Sequence, residues 1–248
     1  MDLSLKVFKT LDGARLRYYW RKGPGPVVVL AHPHSGHLQG FMPLLDRFAG
    51  NVLLWDRRGY GGSTRGAYAA SQEADLVALL DHLGIETVTL IGIAAGGASV
   101  AGFASCHPER VLSLGFACSF MGAPHRFWQD ATGEAAPSGD VDVRELSQAF
   151  CHSRAGEIWR AQADENKRSH AGEPPQPAGG DVAALAAQEH LYIATGDQDL
   201  LFTPTMLGHA KTLLPQAHAT VFAGAAHAPH VEQPTNFAQW ITGCLNHV

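Results

Sequence analysis

The chain lacks what several protein classes require. Only 4 of its 248 residues are cysteine, and Cys106, Cys118, Cys151 and Cys244 are widely spaced with no C-x-x-C pair, so neither a disulfide frame nor a zinc site is implied. They lie in or beside apolar segments, as reduced, buried thiols do. Charge is sparse at 17%, and 18 basic against 23 acidic residues give a net charge of −5 with no basic block. Nothing here would neutralise a phosphate backbone, so nucleic acid is not expected as a partner. The longest apolar runs, such as Val27 to Ala31 and Thr89 to Ala95, fall far short of the roughly 20 residues that cross a bilayer. The opening Met1-Asp2-Leu3-Ser4-Leu5-Lys6 lacks the charged-then-apolar order of a signal peptide. The expectation is a cytoplasmic chain with no membrane partner. No G-x-x-x-x-G-K-S/T phosphate loop is present, and no G-x-G-x-x-G follows the first parallel strand, so no nucleotide cofactor is implied.

What is there is ordinary globular material, 46% hydrophobic with 27 Gly and 14 Pro, and enough of it to bury a substantial core. Partial alternation around Asp12-Gly13 predicts two antiparallel strands on the flank of a sheet. Val27 to Ala31 and Asn51 to Trp55 are nearly unbroken apolar runs, suited to strands buried on both faces, with a helical-looking stretch from Phe41 to Ala49 between them. The alternation continues with an amphipathic stretch from Ser71 to Leu83, a strand at Thr87 to Ile93, a small-residue helix from about Ala95 to Cys106 and a strand at Val111 to Ala117. After a break it resumes with Leu191 to Ala194, a helix near Pro204 to Leu214, a strand at Ala219 to Ala223 and a last helix from Pro234 to about Asn246. Repeated βα units predict a doubly wound, mostly parallel α/β sheet. Between them, residues 120–187 carry broken helical pieces with Trp128, Phe150 and Trp159, interrupted by Gly133 to Gly139 and Gly172 to Gly180. A long excursion between sheet strands reads as an active-site cover. The organisation is therefore a core of 1–119 and 188–248 with a lid at 120–187, without an internal repeat or a separate second domain.

Ligands in open α/β sheets gather at the carboxyl ends of strands, and three such ends carry chemistry. Leu90-Ile91-Gly92-Ile93-Ala94-Ala95-Gly96-Gly97 is an apolar strand entering a sharp turn and a helix, with glycines that leave residue 94 at an exposed apex. Ala194-Thr195-Gly196-Asp197-Gln198-Asp199 offers carboxylates after a late strand. His227 follows the last strand and precedes the last helix.

In this order the three segments resemble the α/β-hydrolase family, and the resemblance covers the whole chain. The family's D-x-R-G-x-G-x-S turn is matched by Asp56 to Ser63, and its loop after the first long parallel strand by His32-Pro33-His34-Ser35-Gly36. The resemblance implies a sheet of the α/β-hydrolase type with an inserted helical lid, and chain order nucleophile, acid, base. It places Ala94 at the nucleophile site, Asp199 as the acid and His227 as the base. Asp197 is the alternative acid, and Asp199 is preferred because it fills the second acidic place of the family's G-D/E-x-D pattern. An acid after the preceding strand is not expected, since Cys118-Ser119-Phe120-Met121 has no carboxylate. The oxyanion hole falls to the backbone N–H of Ala95 and to His34. Pro33, which offers no N–H, stands where the family usually has glycine, so this loop departs from the pattern.

Ala94 is the departure that matters, because a methyl group cannot attack a carbonyl. Removing the nucleophile from a serine hydrolase typically costs on the order of a million-fold in turnover. Two readings follow. In one, Ala94 replaces a serine, and the chain is an inactivated hydrolase of a small ester, lactone or related carbonyl compound that works through an acyl-enzyme. In the other, His227 and Asp199 act as a general base without a nucleophile, in lyase or cofactor-free oxygenase chemistry. The first is preferred, because an acid, a base and elbow glycines are what a single replacement leaves behind. A carbon–carbon bond hydrolase and a ligand-binding receptor are further alternatives. Ser35, Ser63 and Ser99 are set aside as substitute nucleophiles. His32, His34 and His37 are read as part of the loop rather than as metal ligands, because no carboxylate or cysteine completes a set. Phe127, Trp128 and Trp159 are candidate walls of an apolar substrate pocket. The expected partner is a small-molecule substrate, with no cofactor and no metal, and the chain is expected as a monomer or homodimer.

Overall fold

Apolar runs that satisfy their backbones only by pairing with one another assemble into one eight-stranded sheet. The computed structural model describes residues 4–67, 71–169 and 182–246, so Met1 to Leu3 of the leader reading and the Gly172 to Gly180 break lie outside the described residues. The strands are β1 (Lys6–Lys9), β2 (Arg15–Arg21), β3 (Val27–Ala31), β4 (Val52–Trp55), β5 (Val88–Ile93), β6 (Val111–Ala117), β7 (Leu191–Gly196) and β8 (His218–Phe222). Their spatial order is β1-β2-β4-β3-β5-β6-β7-β8. The two pairings of β2 are antiparallel and all others are parallel. The Asp12-Gly13 hairpin sits at one edge as expected, turning through Gly13 at φ 82°.

Strands β4, β5 and β7 are buried at every residue, which is why they read as continuous rather than alternating apolar runs. Helices cover both faces. Gln72–Leu83 starts at Ser71, whose hydroxyl accepts from the Ala74 N–H at 3.3 Å, and ends at Gly84 in the left-handed conformation. It seats Leu76, Leu79 and Leu80 in the larger core cluster on one face, while Phe41, Leu44, Leu45, Phe237 and Ile241 belong to the cluster on the other.

The helical stretch expected from Phe41 to Ala49 is shorter. It consists of a 3-10 turn at Leu38–Phe41 and a single turn at Met42–Leu45. The Arg21 guanidinium on β2 takes the Leu45 carbonyl at 2.7 Å, which a helix running to Ala49 would have used, together with the Phe48 carbonyl and the Gly50 carbonyl at 3.3 Å.

Between β6 and β7 lie helices His125–Thr132, Val141–Glu145, Gln148–Cys151 and Arg154–Ser169 and a 3-10 turn at Val182–Ala187. The ends of this segment are continuous with the main core, since Met121, Trp128, Val182 and Leu185 are buried in it. Its middle packs elsewhere: Leu146 and Trp159 cluster with Ala228, beside the loop after β8. Among the described residues, no helix is long and apolar enough to cross a membrane.

Candidate active site

The turn after β5 is built so that nothing larger than hydrogen fits beneath its apex. A Cβ at Gly96 would overlap the Ala31 carbonyl oxygen and stand 2.7 Å from that of His32. This close approach of helix Gly96–Cys106 to the end of β3 leaves Ala94 at φ 48°, in the left-handed region alanine disfavours. Three hydrogen bonds hold it there. Its N–H donates to Ala117 O at 2.9 Å, and its carbonyl accepts from the Gly97 N–H at 3.0 Å and from Ser119 Oγ at 2.8 Å. The Ala94 methyl is partly exposed, and the Ala95 N–H that follows donates to no described group. That leaves a free donor at the start of a helix, beside the apex.

The residues expected as base and acid are paired. His227 Nδ1 lies 2.9 Å from both oxygens of Asp199, and both side chains are buried. Asp199 also accepts from the N–H groups of Leu201 at 2.8 Å and Phe202 at 3.0 Å and from Thr195 Oγ1 at 2.9 Å, so its charge is fully solvated by fixed donors. Asp197, the alternative acid, instead accepts from the Gly224 N–H at 2.8 Å at the surface. Burial opposes charging of His227, but the Asp199 charge and hydrogen bond outweigh it and raise the imidazole's pKa above its ordinary value. With Nδ1–H committed to the carboxylate, the Nε2 lone pair of the neutral ring is free to take a proton.

The loop after β3 is fixed from below by the Asp56 to Ser63 turn. His32 Nε2 accepts from the Arg57 N–H at 2.9 Å, which makes Nδ1 the protonated nitrogen that donates to Pro33 O at 2.8 Å. His34 Nδ1 meets Tyr60 OH at 2.8 Å. Asp56 joins the two loops by accepting from the Leu38 and Gly62 N–H groups, each at 2.8 Å. Two of the clustered histidines are thus loop supports. The set-aside serines are likewise engaged elsewhere: Ser63 Oγ donates to Asp56 O at 2.6 Å, Ser99 Oγ to Gln72, and Ser35 Oγ to Glu145 at 2.6 Å.

Residues 26–234 match the alpha/beta hydrolase fold family. The chain belongs to that family. Over 93% of its length it is 26% identical to the dihydrolipoyllysine-residue acetyltransferase component of the acetoin cleaving system of Cupriavidus necator. The chain spans two thirds or less of the curated relatives it matches, 66% of this one. Among solved structures it resembles a thermophilic esterase from Thermogutta terrifontis, with TM-score 0.75, 18% identity and coverage of 98% of this chain and 100% of that one. It also resembles the enol-lactonase from Burkholderia xenovorans, with TM-score 0.75, 19% identity and coverage of 94% and 96%.

In this alpha/beta hydrolase the three candidate pocket aromatics part company. Trp128 is wholly buried, donates Nε1–H to Phe120 O at 3.2 Å and meets Phe202 edge-on, so it is core. Phe127 is 43% exposed. Trp159 alone reaches the loop after β3, where it lines a cavity of about 20 Å³ with Pro33, Ser35, Asn166 and His230.

Four further groups surround the acid–base pair and carry no sequence motif. Cys118 follows β6 at φ 53°, with its thiol buried next to Asp199 and His227. The ligand atoms of these three lie within 4.8 Å of one another. Burial, then the Asp199 charge, pushes the Cys118 thiol well up and keeps it protonated, and His227 Nδ1 is already engaged by Asp199. His125 stacks on Phe120 at 4.5 Å and interacts with the Leu201 backbone. Burial, then the charge of His227, lowers its pKa and keeps it neutral. Glu145 and Arg144 come from the segment between β6 and β7, and both charges are felt at His227.

Proposed function

We propose that this site belongs to a hydrolase of small esters, lactones or related carbonyl compounds, and that Ala94 stands where such an enzyme carries its serine. The observation that carries the reading is the apex itself. Ala94 is held in the left-handed conformation of a nucleophile elbow and is followed by a free N–H, in a chain whose His227 and Asp199 form a buried pair.

With serine at 94, His227 Nε2 takes the hydroxyl proton as Oγ bonds to the substrate carbonyl carbon. The oxyanion forms against the Ala95 N–H and the loop carrying His34. His227 then gives the proton to the leaving group, and water, deprotonated by the same nitrogen, releases the acid. Asp199 holds the ring's tautomer and balances its charge throughout. Trp159, beside the loop after β3, is the candidate pocket aromatic that would border the substrate. In the present chain the first bond cannot form, so substrate binding and carbonyl polarisation remain and turnover falls to a residual level.

The test is turnover of short-chain aryl esters and lactones by the chain and by Ala94→Ser. Hydrolysis gained on introducing serine supports the reading. A second reading, proton abstraction from a substrate by His227, is favoured by an acid–base pair that is complete without a nucleophile. It predicts that the Ala94 form is the active one and that Ala94→Ser brings no ester hydrolysis.

A further inference from the structure

Arg144 is a half-buried cation whose charge is felt at His227. It sits in the single-turn helix Val141–Glu145, which is pinned at both sides of the site. Glu145 accepts from Ser35 Oγ at 2.6 Å, in the loop after β3. Ser147 donates its N–H to Glu232 at 3.2 Å, and Leu146 packs with Ala228, next in chain to His227. The neighbouring acids are engaged elsewhere, Glu145 with Ser35 and Asp142 with Arg160 at 3.3 Å. Arg144 forms no ion pair among the described residues, and its Nε is buried without a hydrogen-bond partner. A buried guanidinium N–H left unpaired is costly unless something outside the chain pairs with it.

We propose that the substrate carries a carboxylate and that the Arg144 guanidinium binds it while the reacting carbonyl faces His227. A planar guanidinium offers paired N–H donors that match the two oxygens of a carboxylate, and the charge assists both bonds. The chain's net charge of −5 disfavours anions in general, so a preference for an anionic ligand has to come from a local group. This inference rests on the carbonyl-hydrolase reading and narrows it to half-esters, carboxy-lactones and similar acids.

The test measures binding rather than turnover, which the Ala94 form permits. Monomethyl glutarate and dimethyl glutarate are titrated calorimetrically into the chain, into Arg144→Gln and into Arg144→Lys. The half-ester is expected to bind about tenfold or more tightly than the diester, with the ratio falling to about one in Arg144→Gln and partly retained in Arg144→Lys. The ratio is the readout, so a general loosening of the segment does not imitate the effect. Equal binding of the two esters, no binding of the half-ester at millimolar concentration, or a preference that survives Arg144→Gln overturns the proposal. Hydrolysis of neutral esters by Ala94→Ser is a separate result, and it stands or falls independently of this one.

Discussion

Acidification from about pH 7.5 to about pH 4.5 is expected to remove about 2 to 3 kcal/mol of stability through His230 alone. His230 is 3% exposed, packs against Phe41 and Phe237, and its Nδ1 has no partner. Burial, and secondarily the charge of His227, holds its pKa down at about 3 in the fold, against 6.5 for a free imidazole. A base with a depressed folded pKa favours the neutral state in the native protein. Its contribution is therefore intact above pH 6.5 and is lost as pH falls towards 3, where the unfolded chain binds a proton that the native chain does not. Each pH unit inside that window is worth about 1.4 kcal/mol. The assay is urea unfolding at a series of pH values for the chain and for His230→Phe, which keeps an aromatic ring between Phe41 and Phe237. The difference between the two curves isolates the histidine from the carboxylates they share. Parallel stability–pH curves for the two proteins would refute the burial argument.

Relief of the strain at the apex is expected to make Ala94→Gly more stable by about 1 kcal/mol, although glycine usually weakens a fold; urea midpoints check this, and a loss of similar size would contradict the strained elbow. Gly96→Ala is expected to lower stability by about 3 kcal/mol or more, read as a fall in thermal midpoint of roughly 6 °C or more, because its Cβ meets rigid carbonyls rather than a movable side chain. In the Ala94→Ser background, kcat/KM is expected to rise with pH and level off above an apparent pKa higher than 6.5, since Asp199 raises the His227 pKa and only the neutral ring accepts a proton. Asp199→Asn in that background is expected to lower kcat by about 10³ to 10⁴-fold and to shift that inflection downwards.

The sheet was legible because parallel strands buried on both faces leave continuous apolar runs, and β3 to β7 all announce themselves that way. The choice of Asp199 over Asp197 as the partner of His227 was legible too, since the two share one turn and the family pattern chooses between them. What escaped the sequence was tertiary. Nothing near Phe41 to Ala49 signals that Arg21, more than twenty residues earlier, takes the Leu45 carbonyl that a longer helix would use. Cys118 reaches Asp199 only because its N–H pairs with Ala194 O at 2.8 Å, aligning the end of β6 with that of β7. Arg144 and His125 are placed by short helices, and a helix of five residues such as Val141–Glu145 is too short to show a periodicity. Trp128 and Trp159 look alike in sequence, yet one is core and the other borders the loop after β3, because the packing of that segment decides which ring is enclosed.

The role proposed for position 94 is a nucleophile's seat served by His227 and Asp199. Its most direct test is the intact mass of Ala94→Ser mixed with a short-chain aryl ester and quenched within the first turnovers. The account predicts a protein heavier by one acyl group, absent from the Ala94 chain and from Ala94→Ser carrying His227→Ala. Serine at 94 that gains neither an adduct nor hydrolysis across a broad ester and lactone panel would contradict it.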